Sequence, residues 1–261
     1  MPFPTDPFST FSHLVGAIAC IIAARPLLRR ATTPVRRRAL GIFAGSAITL
    51  LLASTLFHAM PAGTASRTIT QRLDHAAIFL LIAGSFTPIH VILFTGLARW
   101  GVLCLLWLAA LAGVVAKSIF FSSVPEQAGI AAYLILGWSG GISILIILLH
   151  RGLRFVSPLL LGGIAYTAGA LCEFTSLPVP IPGLIGSHEV FHLAVLLGLG
   201  SMWLFMHRIA DTPEIGSPPT LRPPPPRAGE VPARLGVAGG AGSSSPGSLA
   251  EPKPDPALTA H

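Results

Sequence analysis

Apolar residues fall into seven long blocks separated by short polar joints. A helix rising about 1.5 Å per residue needs about 20 apolar residues to cross a bilayer. The blocks lie at roughly 10–28, 39–60, 74–95, 98–117, 128–149, 155–173 and 187–207. This pattern predicts an all-α membrane protein, a bundle of seven transmembrane helices within residues 1–210. The fourth block is compressed between Arg99 and Lys117. The sixth carries Gly162, Gly163 and Gly169, which would let its backbone approach a neighbouring helix closely. After Arg208 the pattern stops. Residues 211–261 are rich in Pro, Gly, Ser and Ala, with four consecutive prolines at 223–226. They offer too little apolar surface to offset chain entropy, which predicts a disordered C-terminal tail.

Composition agrees with the membrane reading and refines it. Hydrophobic residues make up 52% of the 261 and charged residues only 10%, against about 25% charged in soluble domains. Residues 1–210 hold 13 Lys and Arg against 5 Asp and Glu, whereas residues 211–261 hold 4 against 5. The basic excess thus sits in the joints between spans, where it sets topology, and gives no ground for nucleic-acid binding. Seven spans put the termini on opposite sides. The side bearing the N-terminus and the 2–3, 4–5 and 6–7 joints carries Arg67, Arg72 and Lys117. The other carries Arg25, Arg29, Arg30, Arg36, Arg37, Arg38, Arg99, Arg151, Arg154 and Arg208. The count predicts a multi-pass protein of the cell membrane with its N-terminus outside and its C-terminus cytoplasmic. Met1-Pro-Phe-Pro-Thr-Asp-Pro has no basic stretch, so the first span is expected to be retained. Cys20, Cys104 and Cys172 are scattered in apolar runs and read as small packed residues.

The chemistry concentrates at the start of the last span. His188, Glu189 and His192 spell H-E-x-x-H. Histidines four apart share a helix face and can reach one metal ion, while the intervening glutamate can polarise a water. A catalytic zinc usually has three protein ligands. His207 lies about 22 Å further along the same helix, at roughly 1.5 Å per residue, so the third ligand must come from another span end on the N-terminal side. His13, His58, Asp74 and His75 all fall near that surface. His90, His150 and His207 belong to the opposite one.

Taken in order, Ser12-His13-Leu14-x-Gly16, Ser54-x-x-x-His58, Asp74-His75-x-x-Ile78, Phe86-Thr87-Pro88, Gly162-Gly163-x-x-Tyr166 and His188-Glu-x-x-His192 resemble the hemolysin III family. That family is akin to the adiponectin and progestin receptors and, more distantly, to alkaline ceramidases. The likeness runs from residue 12 to about 208. It implies that His58, His188 and His192 are zinc ligands, that Asp74 holds a zinc-associated water, and that Ser54 stands beside the centre. Glu173 occupies a position where the resemblance leads one to expect an aromatic. Adiponectin receptors lack the glutamate of H-E-x-x-H, which makes Asp74 the first candidate for general base and Glu189 the second. They also place their zinc on the cytoplasmic side, opposite to the arginine count here.

A water activated at that depth meets membrane lipid, so a lipid amide or ester is the expected substrate and zinc the expected cofactor. Three other functions remain open on the sequence. The first is a receptor or structural protein whose zinc ties spans 2 and 7 together. The second is a cytolysin, although no secretion signal and no amphipathic hairpin is evident. The third is an intramembrane protease, although no acidic ligand loop of the Asn-Pro-Asp-Gly kind occurs.

Overall fold

The computed structural model describes residues 4–181 and 185–215. Among these, eight helices follow in order: α1 Pro7–Arg29, α2 Pro34–Ala59, α3 Ala65–Leu93, α4 Gly96–Ile119, α5 Glu126–Trp138, α6 Gly141–Arg151, α7 Leu153–Thr175 and α8 Ser187–Ile209. Seven stretches are long and apolar enough to cross a membrane, with α5 and α6 together forming the fifth. The seven blocks of the sequence are therefore seven spans. Large apolar side chains such as Ile22, Leu97, Ile135 and Leu149 point outward, as a lipid-facing surface requires.

The fifth span departs from an unbroken helix over 128–149. It breaks between Trp138 and Gly141, where Ser139, Gly140 and Gly141 follow one another. A side chain on Gly140 would strike the Phe86 ring of α3, so the glycine lets the broken span press against the bundle centre. The third span also begins earlier than expected. Residues 65–73 are too polar to register as membrane-spanning, yet they are helical. The Thr64 hydroxyl accepts the Arg67 N–H and caps their first turn. Asp74 therefore sits more than two turns inside α3 rather than at its start.

Helix α3 is the axis of the bundle, buried over most of its apolar length. It packs on α2 and α4, while α1 packs on α2, α7 on α8, and α8 returns to α1. Of the three glycines singled out in α7, Gly162 lies against the Gly198 carbonyl and Gly169 against Ala194, both on α8, whereas a side chain on Gly163 would meet open space. Two of the three thus provide the close helix approach that small residues permit.

Five residues beyond α8 are held across the end of the bundle opposite the N-terminus. Arg30 pairs with Asp211 at 2.8 Å, Arg36 donates to the Thr212 carbonyl at 2.8 Å, Arg151 donates to the Pro213 carbonyl at 2.6 Å, and Arg99 pairs with Glu214. The Ile215 N–H reaches the Leu93 carbonyl at 2.8 Å. Residues 211–215 of the expected tail are thus in contact with the bundle, and its remainder, 216–261, lies outside the described residues.

Candidate metal centre

The last turn of α2 and the first turns of α8 meet at the N-terminal end of the bundle. His58 comes from α2, and His188 and His192, one turn apart, come from α8. Their ring nitrogens converge. His188 Nε2 lies 3.4 Å from His58 Nε2 and 2.9 Å from His192 Nε2, and all three residues offer a ligand atom within 4.8 Å of the others. A tetrahedral ion with metal–nitrogen bonds of about 2.0–2.1 Å needs its nitrogens roughly 3.3 Å apart. The donor set fits such an ion. His58 and His192 are buried and His188 is partly exposed, so the group faces the cavity rather than open water.

The outward nitrogens are also engaged. His58 Nδ1 is 3.0 Å from Asp6 Oδ2, His188 Nδ1 is 3.0 Å from Glu173 Oε1, and His192 Nδ1 is 2.9 Å from His13 Nε2. A carboxylate only accepts hydrogen bonds. The Asp6 and Glu173 contacts therefore assign the proton of each ring to Nδ1 and leave bare lone pairs at the two facing Nε2 atoms. Lone pairs 3.4 Å apart repel unless a cation lies between them. A metal ion between them would relieve that repulsion, as would a proton carried by the Nε2 of one ring. Burial alone would raise the Asp6 carboxyl, but the hydrogen bonds from Arg67 and His58 outweigh it and hold the group below its ordinary range.

Asp74 is buried and lines the same cavity as the three histidines, with Oδ2 3.7 Å from His75 Nδ1. His75 is turned to its own helix and meets the Gln71 carbonyl at 2.9 Å. Ser54 lies one turn before His58, and its buried hydroxyl is beside the Asp74 carboxylate, close enough to interact with it but not in a hydrogen bond of regular geometry. Glu189 is differently occupied, because its Oε2 accepts the Gly186 N–H at 2.8 Å and closes the first turn of α8. His90, assigned to the other surface, lies away from the centre. Its Nδ1 is 2.7 Å from the Ala98 carbonyl oxygen, and its Nε2 is 3.3 Å from Ser143 Oγ.

Reading the spans alone did not give Asp6 or Glu173 a place here. The sequence brings His13 to this surface without a partner, marks Glu173 only as a departure from the resemblance, and gives no role to Asp6. A signal was present nonetheless, since all five acids of residues 1–210 are few enough to test one by one, and both of these lie at span ends.

A cavity of about 560 Å³ opens from the centre into the bundle, within the usual range for small-molecule sites. Polar groups crowd its histidine end. Deeper in, its walls are apolar, including Ile82, Phe86, Leu160 and Met202, and it reaches membrane-facing Trp138 and Ile164. Gly163, without a close neighbour, lines this wall.

Comparison with known proteins places these features in context. The pattern of a family described as haemolysin-III related matches residues 1–203. The chain is similar to hemolysin-3 of Bacillus cereus, 34% identical over 200 residues that cover 75% of this chain and 87% of that protein. It is also similar to a hemolysin-3 homolog of Bacillus subtilis, 32% identical over 162 residues covering 62% and 72% respectively.

Proposed function

The chain belongs to the hemolysin III family, and from that premise we propose that it is a zinc-dependent hydrolase of a lipid amide or ester within the membrane. The observation that carries this reading is the convergence of three Nε2 atoms at the mouth of an apolar cavity. Three neutral imidazoles favour zinc over harder cations, and His58, His188 and His192 would hold it. When bound there, zinc supplies a Lewis acid and brings the pKa of a coordinated water down toward about 7.

The chain's own residues then divide the work. Asp74 is the buried carboxylate on the cavity wall that is bonded to none of the three histidines, so it is free to accept the proton of the attacking water and return it to the leaving group. Glu189 stands second, because one of its oxygens is already committed to the backbone of Gly186. The Ser54 hydroxyl, buried beside Asp74, is placed to donate to that carboxylate or to substrate. The apolar depth of the cavity accommodates an acyl chain, with its scissile bond held at the histidine end. Membrane lipid is the partner this arrangement suits.

The test is turnover of a panel of labelled ceramides and phospholipids by the purified protein. Asp74→Asn should lower the rate about 10²-fold or more, in line with loss of general-base help, and keep its zinc. Wild-type protein that is loaded with zinc but inert across the panel would leave the metal a structural tie between the second and seventh spans.

A further inference from the structure

We propose that the segment entering α1 is a working part of the metal centre: Asp6 and His13 hold His58 and His192 by their outer nitrogens, as Glu173 holds His188, and together they set how tightly and in what geometry the metal is bound. This rests on the three-histidine centre proposed above.

The three contacts share one logic but come from different parts of the chain. The ligands lie on α2 and α8. Asp6 lies in the residues leading into α1, His13 lies on α1 itself, and Glu173 lies on α7. A histidine ligand donating its outer N–H to a carboxylate is fixed in tautomer and ring orientation, and its inner nitrogen becomes a better donor to the metal. Asp6 is held twice to the same ligand, since its backbone N–H also donates to the His58 carbonyl at 3.1 Å. Its carboxylate cannot swing away easily, because Arg67 Nη2 donates to the same Oδ2 at 2.8 Å while Arg67 Nη1 reaches the Met60 carbonyl at 2.8 Å. Arg67 also covers the Phe57 ring at 4.7 Å. The carboxylate is thus gripped between the end of α2 and the first turn of α3.

His13 is the odd member. It is 2% exposed, and the hydrogen bond requires it to accept at Nε2, which puts its own proton on Nδ1. That Nδ1 has no partner among the described residues, and neither does the buried Ser9 hydroxyl one turn before it on α1. A buried donor left without a partner is costly, and this one is aimed so that its other nitrogen supports a ligand. His192 therefore has a neutral outer partner, whereas His58 and His188 have anionic ones. The expected ranking of effects follows, with the two carboxylates contributing more than His13.

The experiment uses the full chain in detergent, stripped with a chelator and titrated with Zn²⁺ against a chromophoric competitor, with the Co²⁺-loaded form read by its visible spectrum. Asp6→Asn and Glu173→Gln should each weaken Zn²⁺ binding by about 10- to 100-fold and shift the Co²⁺ bands. His13→Phe should weaken it less, and Asp6→Glu should recover most of the loss. Thr5→Val is the control for simple anchoring. It removes the 2.8 Å bond from the Thr5 hydroxyl to the Met60 carbonyl, which ties down the same segment without touching a histidine, and it should bind and absorb as wild type does. Unchanged melting of the metal-free variants would show that folding is intact. Wild-type affinity and spectrum in both carboxylate variants would overturn the proposal, as would equal loss in Thr5→Val and Asp6→Asn. A wild-type protein that takes up no metal at all would remove the centre itself.

Discussion

At the scale of single residues, the site turns on which carboxylate is free. Five acids lie in residues 1–210, and the structure gives four of the five a visible setting at the centre. Asp6 and Glu173 face outer histidine nitrogens, Glu189 closes the start of α8, Glu126 reaches the cavity wall exposed, and Asp74 lines it buried, with no partner nearer than His75 at 3.7 Å. Glu189→Gln keeps an oxygen able to accept the Gly186 N–H, so it should cost little in stability and less in rate than Asp74→Asn. Rates of the two variants on one lipid substrate check this, and the opposite order would return the role of base to Glu189. Helical spacing paired His188 with His192, and span order brought His13, His58, Asp74 and His75 to the same surface, but it was the family resemblance that singled out His58 and Asp74 among them. The outer partners were not legible, because hydropathy places a residue at a depth and does not say which neighbour its side chain meets. The same limit hid the occupation of Glu189, since a cap becomes visible only once the first helical residue is known.

At the scale of elements, the seven spans were legible because about 20 apolar residues in a row have few other uses. Their polar ends were not. Residues 65–73 are helical with a local start, the Thr64 cap, that carries no hydropathy signal. The break between α5 and α6 depends on the Phe86 ring meeting Gly140, a contact across 54 residues that no periodicity reveals. The α7–α8 pair offers a direct check on packing. A side-chain carbon at Gly162 would lie 3.2 Å from the Gly198 carbonyl oxygen, against backbone that cannot turn aside. Gly162→Val should therefore destabilise the bundle by about 1–3 kcal/mol through overpacking. The matching change at Gly163, where nothing lies within 4 Å, should cost much less. Thermal unfolding of both variants in detergent reads the difference, and equal losses would refute the close approach.

At the scale of the whole molecule, two ends of the bundle have different characters. One holds the histidines and the cavity mouth. The other gathers arginines from several joints around residues 211–215. Truncation after residue 215 should leave stability unchanged, whereas truncation after residue 210 should lower it by about 1–2 kcal/mol, since partly exposed ion pairs contribute little each. Equal melting temperatures for the two truncations would contradict the observed contacts. The arginine excess on that end predicts that it is cytoplasmic, with the histidine cluster facing outward. A C-terminal green fluorescent protein should then glow and a C-terminal alkaline phosphatase should be inactive, and the reverse pair of results would invert the orientation. The central claim is the metal itself, and metal analysis of protein purified without a metal-affinity step tests it most directly. The account predicts about one zinc per chain in the wild type and its loss in His58→Ala and in the His188→Ala, His192→Ala double variant. Full zinc occupancy in those variants, or none in the wild type, would contradict it.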